Sequence, residues 1–242
     1  MASDSWASDG WGDLQLPKLS ISKKIKPPEF SSPTQLVTFV VGKGKEKEIF
    51  VVHKEHACRY SPVLDKAFNS EFKEGRTQKY EIEDTNPDTF RIFVQWLYSQ
   101  KLTHIHYDEH WELEVDDVHK IDCTKGTISR IELWVLAEKL LIPQLQNEVM
   151  RLLRLVGRTC VHPFERHVNY IYQNTADNSV LRRFVVNLIA WAAPSSEYKQ
   201  YPHLYPHEFL LDLVTVFSAA VPPRTAANKR YRLDDTDYFV EE

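Results

Sequence analysis

The sequence predicts a mixed α+β fold: a small sheet packed on a helical cluster, followed by a helical extension. Three observations predict it. Two β-branched runs, at residues 36–41 and 48–52, flank a turn containing Gly42 and Gly44 and read as a hairpin. Apolar residues then recur at helical spacing in one segment after another, interrupted by a third alternating run at residues 78–82. The resulting order is strand, strand, helix, helix, strand, helix, then helices alone.

Residues 1–33 are rich in Ser, Asp, Lys and Pro and read as a disordered or weakly docked segment. Leu14, Leu16, Leu19 and Ile21 mark a short docking piece across residues 14–25. The folded part starts at Thr34. After the hairpin, residues 53–60 change to a helical period that buries Ala57 and Cys58. Ser61 is placed to cap the next helix and Pro62 to occupy its first turn, where a missing N–H costs nothing. Val63, Leu64, Ala67 and Phe68 form its buried stripe, and Phe72 follows as the chain leaves it. Tyr80 and Ile82 share one face of the third strand. Asn86 and Pro87 open a helix with Phe90, Phe93, Val94, Leu97 and Tyr98 as its core stripe and Trp96 beside them. Residues from about 103 to 127 are acidic and histidine-rich, with Gly126 near the end, and read as a long surface insertion.

Two close helices follow, at residues 128–140 and from Ile142 and Pro143 to about residue 155, so the first domain is expected to span 34–156. The extension, 157–220, holds helices at 163–174, 179–193 and 206–219. It is expected to dock on the first domain by burying Val185, Leu188, Ile189, Leu210, Leu213 and Val214. Residues 221–242 read as a flexible tail. No internal repeat is visible.

Composition excludes several classes. At 242 residues the chain holds one good core, or one domain with an appendage. The net charge of -4 comes from interspersed acids and bases, so direct nucleic-acid binding is not expected. The one basic cluster, Lys23, Lys24 and Lys26, sits in a Pro/Ser-rich stretch and reads as solvated. Three widely spaced cysteines, Cys58, Cys123 and Cys160, make no disulfide framework and suit a reducing compartment, cytoplasmic or nuclear. The first residues lack the basic start and apolar run of a secretory signal, and the apolar stretch at 184–193 is too short to span a bilayer.

No phosphate-binding glycine loop, zinc-protease helix or nucleophile elbow occurs, so no catalytic residue and no cofactor are expected. His53 would need a nucleophile in reach, and the nearby Ser61 is engaged as a cap. His104, His106, Asp108, Glu109, His110, His119 and Cys123 offer metal-ligand types, as do Cys160 and His162. Without a firm frame they read as solvated loop, not as a metal site.

Several stretches, taken in order, resemble the BTB/POZ domain family. They are the strand "VTFVVG", then "FVVHKEHACRYSPVLDKAF" with His53, Lys54, Ser61 and Pro62 in the family's places, then "EFKEG", "YEIEDTNPDTFRIFVQWLYSQKL" and "LWVLAEKLLIPQLQNEV". The likeness covers about half the chain and is best from Leu36 to Leu102. Tyr172, Asn174, Thr175, Leu181, Arg182, Arg183 and Val185 extend it toward the BTB proteins of filamentous fungi. Leu64 stands where many members carry Phe or Tyr, and no long helix is evident before the first strand. The family's dimer therefore does not carry over, and self-association is left open, with a monomer expected in dilute solution.

The resemblance implies a non-enzymatic protein-interaction module. In cullin-binding members an apolar-x-Glu motif stands where this chain has Phe72, Lys73 and Glu74. That implies Phe72, Glu74 and Phe68 as a cullin contact in a ubiquitin-ligase substrate adaptor. The alternative is a scaffold or transcription-associated regulator acting through partner proteins without a cullin. A small enzyme with a site in the second half is a remoter alternative. Tyr198, Tyr201 and Tyr205, interleaved with prolines in an irregular stretch, are candidates for a recognition surface.

Overall fold

A computed structural model describes residues 26, 28–103, 119–159, 164–193 and 195–220. The docking piece at 14–25, the insertion histidines His104, His106 and His110, the pair Cys160 and His162, and the tail from 221 lie outside the described residues. The chain divides into two compact units, Met1–Leu102 with Glu132–Glu148 and Thr103–Ile131 with Val149–Glu242.

The first unit is built on a three-stranded sheet of order β2-β1-β3, with β1 Leu36–Val41, β2 Glu48–His53 and β3 Lys79–Ile82. β1 runs antiparallel to β2, pairing Leu36 with His53 and Val41 with Glu48. It runs parallel to β3, pairing Thr38 with Lys79 and Val41 with Ile82. The crossover from β2 to β3 is helical: α1 Lys54–Tyr60, α2 Pro62–Phe68 and α3 Lys73–Thr77. Strand alternation sends Val37, Phe39, Val41, Val52 and Ile82 into the core. Leu36, Ile49 and Val51 remain exposed on the opposite face. Gly42 takes φ +95 at the hairpin, and a Cβ there would lie 2.8 Å from the Glu46 carbonyl oxygen.

Ser61 caps α2 as its position implies, its Oγ accepting from the Leu64 N–H at 3.1 Å. The same hydroxyl, fully buried, donates to the Leu140 carbonyl at 2.7 Å and so satisfies the last turn of another helix. The core is aromatic. Phe39 meets Phe68 at 5.6 Å and Phe90 at 5.0 Å, and Tyr60 stands edge-on to Trp96 at 5.4 Å. Phe90, Phe93, Trp96 and Leu97 come from α4 Pro87–Ser99, capped by Asn86.

Three expectations are corrected here. Trp96 is fully buried, whereas Tyr98, read as core, is 40 % exposed. The Tyr98 hydroxyl explains its place: it accepts from the His53 backbone N–H at 3.0 Å and lies 2.8 Å from His53 Nδ1, at the rim. Second, the insertion does not extend to residue 127, because α5 His119–Lys139 begins well before Ile128. Gly126 stands inside α5, its cost of about 1 kcal/mol relative to alanine outweighed by the rest of the helix. From Ile131 to Ala137 nearly every side chain is buried, Glu132 excepted, so α5 shows no single apolar face from which to read its start. Third, α3 is additional to the expected elements. Its five residues carry no apolar stripe, and a Cβ at Gly75 would lie 1.8 Å from the Ser70 carbonyl oxygen, so the turn into β3 requires glycine there.

α6 Pro143–Thr159 starts at Pro143, and both α5 and α6 run through a unit boundary. In the second unit a single turn at Glu165–His167 leads into α7 Val168–Asn174, followed by α8 Val180–Ala192, α9 Ser195–Gln200 and α10 His207–Ala220. Ile171, Leu181, Val185, Ile189, Phe209 and Leu213 are buried. Leu210 and Val214, expected to be buried, are 38 % and 58 % exposed. Apolar residues run around most of α10, and only the i, i+4 pair Phe209 and Leu213 turns inward. The stretch at 198–205, read as irregular, is partly α9 and partly a 3-10 turn at Pro202–Leu204.

Candidate functional site

The turn between α2 and β3 is built to hold one large apolar side chain in water. Phe72 is the residue that opens α3 and is 72 % exposed, more than any other large apolar residue among those described. Its backbone is fixed on both sides: its N–H donates to Ser70 Oγ at 3.2 Å, and its carbonyl accepts from the Arg76 N–H at 3.0 Å. Gln78, in the left-handed region at φ 52, closes the turn by donating its side-chain amide to the carbonyls of Phe68 and Gly75. Lys54, the partner of His53 in the His-Lys pair, donates to the same Phe68 carbonyl at 3.0 Å.

Glu74 is half-buried and lines the same cleft as Phe72, a volume of about 720 Å³ that Val63 and the 58 % exposed Leu141 also border. Burial, then the carboxylates of Glu74 and Asp84, push the Tyr80 hydroxyl above its ordinary value. Of the three residues expected to make one contact, the fold brings Phe72 and Glu74 together. Phe68 is a correction: it is 1 % exposed and packs against Phe39 and Tyr80. Its place in the stripe of α2 already required burial, and a surface contact is incompatible with that.

The tyrosines of the second unit do not form one surface. Tyr205 is 5 % exposed, stacked on Phe209 at 5.4 Å, and Tyr198 lies 5.1 Å from it. Tyr198 donates to the Ile189 carbonyl at 3.3 Å. Tyr201 alone of the three projects, at 38 %. Burial, then Glu165 and Glu197, push the hydroxyls of Tyr198 and Tyr205 above the ordinary tyrosine value. The packing of α10 buries Tyr205, and nothing in an irregular-looking stretch discloses that.

Two histidines of the first unit have structural partners. His53 faces Tyr98, and His56 Nδ1 lies 3.1 Å from the Leu97 carbonyl. Burial, then Asp65, pushes the Cys58 thiol up to about 11, with Lys54 opposing, so it holds little thiolate at neutral pH. No group of three or more metal-ligating side chains occurs among the described residues. No helix among them is long and apolar enough to cross a membrane.

His167 is buried at 8 % exposure, and burial, reinforced by Arg166, lowers its pKa to about 4. The folded value lies below the unfolded one, so its neutral form stabilises the fold above pH 6.5, and that contribution is lost as pH falls toward 4. The stability lost between about pH 7.5 and 5.5 is expected to be about 1 kcal/mol smaller in His167→Gln than in wild type. Urea unfolding at the two pH values measures it, and equal losses in the two proteins would contradict the assignment.

The BTB/POZ domain family model matches residues 33–118. No curated protein matches the chain. The match takes in the whole sheet, α1 to α4 and the Phe72 turn. Residues 33–118 of this chain are therefore a BTB/POZ domain, a protein-interaction fold that is generally non-enzymatic.

Proposed function

We propose that the chain is a non-enzymatic docking module that binds a cullin scaffold through residues 69–75 and the helix face beyond Pro87, as a substrate adaptor of a ubiquitin ligase. One observation carries this: the apolar residue of the Phe72-Lys73-Glu74 motif is held in solvent by a turn hydrogen-bonded on both sides. An exposed phenylalanine on a fixed backbone brings large, rigid apolar area to a partner pocket at little cost in ordering. Glu74, half-buried behind it, shapes the segment. Work in the cytoplasm or nucleus, as a monomer, and descent among the BTB proteins of filamentous fungi complete the proposal.

The test is calorimetry with a cullin N-terminal domain. Phe72→Ala is expected to weaken binding by about 2 kcal/mol, roughly thirtyfold. Its circular dichroism should be unchanged, because the side chain leaves water only on binding. Equal binding by the variant would exclude this site. No binding by wild type at high micromolar concentration would exclude the adaptor and favour a scaffold or regulator that works through other proteins.

A further inference from the structure

Among the described residues β3 is an edge strand, and its unpaired side opens onto two adjoining clefts. The Thr38 N–H donates to the Gln78 carbonyl and the Gly42 N–H to the Ile82 carbonyl, both at 2.9 Å. In a parallel ladder a residue turns its N–H and C=O to the same side, and the side alternates along the strand. Gln78, Tyr80 and Ile82 thus face β1, while Lys79 and Glu81 turn their backbone groups away from it.

Along that edge run the cleft of about 720 Å³ beside Phe72 and a second of about 470 Å³. Both are lined by Tyr80 and Glu81, so together they follow the strand from Lys79 to Asp84. The first has apolar walls in Val63, Ala67 and Leu141, the second in Leu136 and Leu140. The first also has a surplus of positive charge. Lys73 and Lys79 share the single carboxylate of Glu81, at 3.5 and 4.0 Å, and Lys66 has no ion pair among the described residues.

We propose that the free edge of β3 binds an extended peptide segment of a partner protein as a fourth strand. The outward backbone groups of Lys79 and Glu81 supply the main-chain hydrogen bonds. Alternate apolar side chains of the peptide enter the two clefts, and an acidic residue at one end meets Lys66 and Lys73. The first cleft is shared with Phe72, Lys73 and Glu74 of the proposed cullin contact, while the edge amides of Lys79 and Glu81 lie outside residues 69–75.

Immobilised full chain is panned with a phage library of random twelve-residue peptides. The enriched peptide is then synthesised and titrated by fluorescence anisotropy. Peptides with alternating apolar residues and a terminal acid are expected. Glu81→Pro removes the outward N–H, which an edge strand tolerates, together with the carboxylate shared by Lys73 and Lys79, and should weaken binding at least tenfold, whereas Glu81→Ala, which loses the carboxylate alone, should not. N-methylating the peptide at alternate positions should do the same, which tests the strand pairing without altering the protein. Bound peptide should also slow amide exchange at Glu81. No enrichment over the naive library, or full binding by both the N-methylated peptide and Glu81→Pro, would overturn the proposal. Slowed exchange at Glu81 on raising protein concentration alone would also overturn it, by placing a second copy on the edge.

Discussion

Trp96→Ala is expected to destabilise the first unit by about 3–5 kcal/mol, the range for removing a large aromatic from a packed core. Trp96 is fully buried on α4, edge-on to Tyr60. Its indole N–H donates to Glu148 Oε2 at 2.9 Å, while Glu148 Oε1 accepts from the Leu102 N–H at 3.0 Å. One carboxylate thus holds both the last turn of α4 and the segment that follows it. Alanine leaves a cavity and strips Glu148 of one donor. Trp96→Phe keeps most of the volume and loses the hydrogen bond, so about 1–2 kcal/mol is expected for it. Urea unfolding followed by circular dichroism separates the two substitutions. A loss below about 1 kcal/mol for the alanine variant would contradict the packing described.

In the second unit the largest effect is expected at Arg182, where Arg182→Leu should cost about 3 kcal/mol. Its side chain is buried at the start of α8 and reaches back to the end of α7. Nη2 donates to the Tyr172 carbonyl at 2.8 Å and to that of Thr175, and Nε donates to Thr175 Oγ1 at 3.1 Å. The guanidinium also lies 4.4 Å from the centre of the Tyr172 ring. These carbonyls are among those that a helix C-terminus leaves without partners, where a cation is favoured. Stranding them costs about 1–3 kcal/mol each. Asp177, 96 % exposed, adds little as an ion pair. Lysine should rescue only in part, since it lacks the planar fork that serves several acceptors at once. Full stability of Arg182→Leu, by urea midpoint, would refute the clamp.

What was readable in the sequence follows from the range of the interactions involved. The hairpin and the Ser61 cap with Pro62 are local patterns and appear where expected, while of the stripe read on α2 only Leu64 and Phe68 are buried, Val63 and Ala67 lining the cleft. The sequence shows Phe72 leaving the helix, where it either projects or covers the core edge, and its 72 % exposure decides for projection. The misses are tertiary. Tyr98 continues the stripe of α4 but is drawn to the rim by His53, which is distant in sequence. The early start of α5 is hidden because its C-terminal half is buried almost all round. Tyr205 is buried by the packing of α10, and the clefts along β3 exist only once β1, α2 and α5 surround the strand.

The Phe72 turn is proposed as the docking surface of residues 33–118. Hydrogen–deuterium exchange of the full chain, with and without a saturating cullin N-terminal domain, tests it most directly. Slowed exchange is expected at residues 69–75 and at the start of α4 after Pro87, with residues 198–205 unchanged. Binding that leaves residues 69–75 exchanging as in the free chain would contradict the claim.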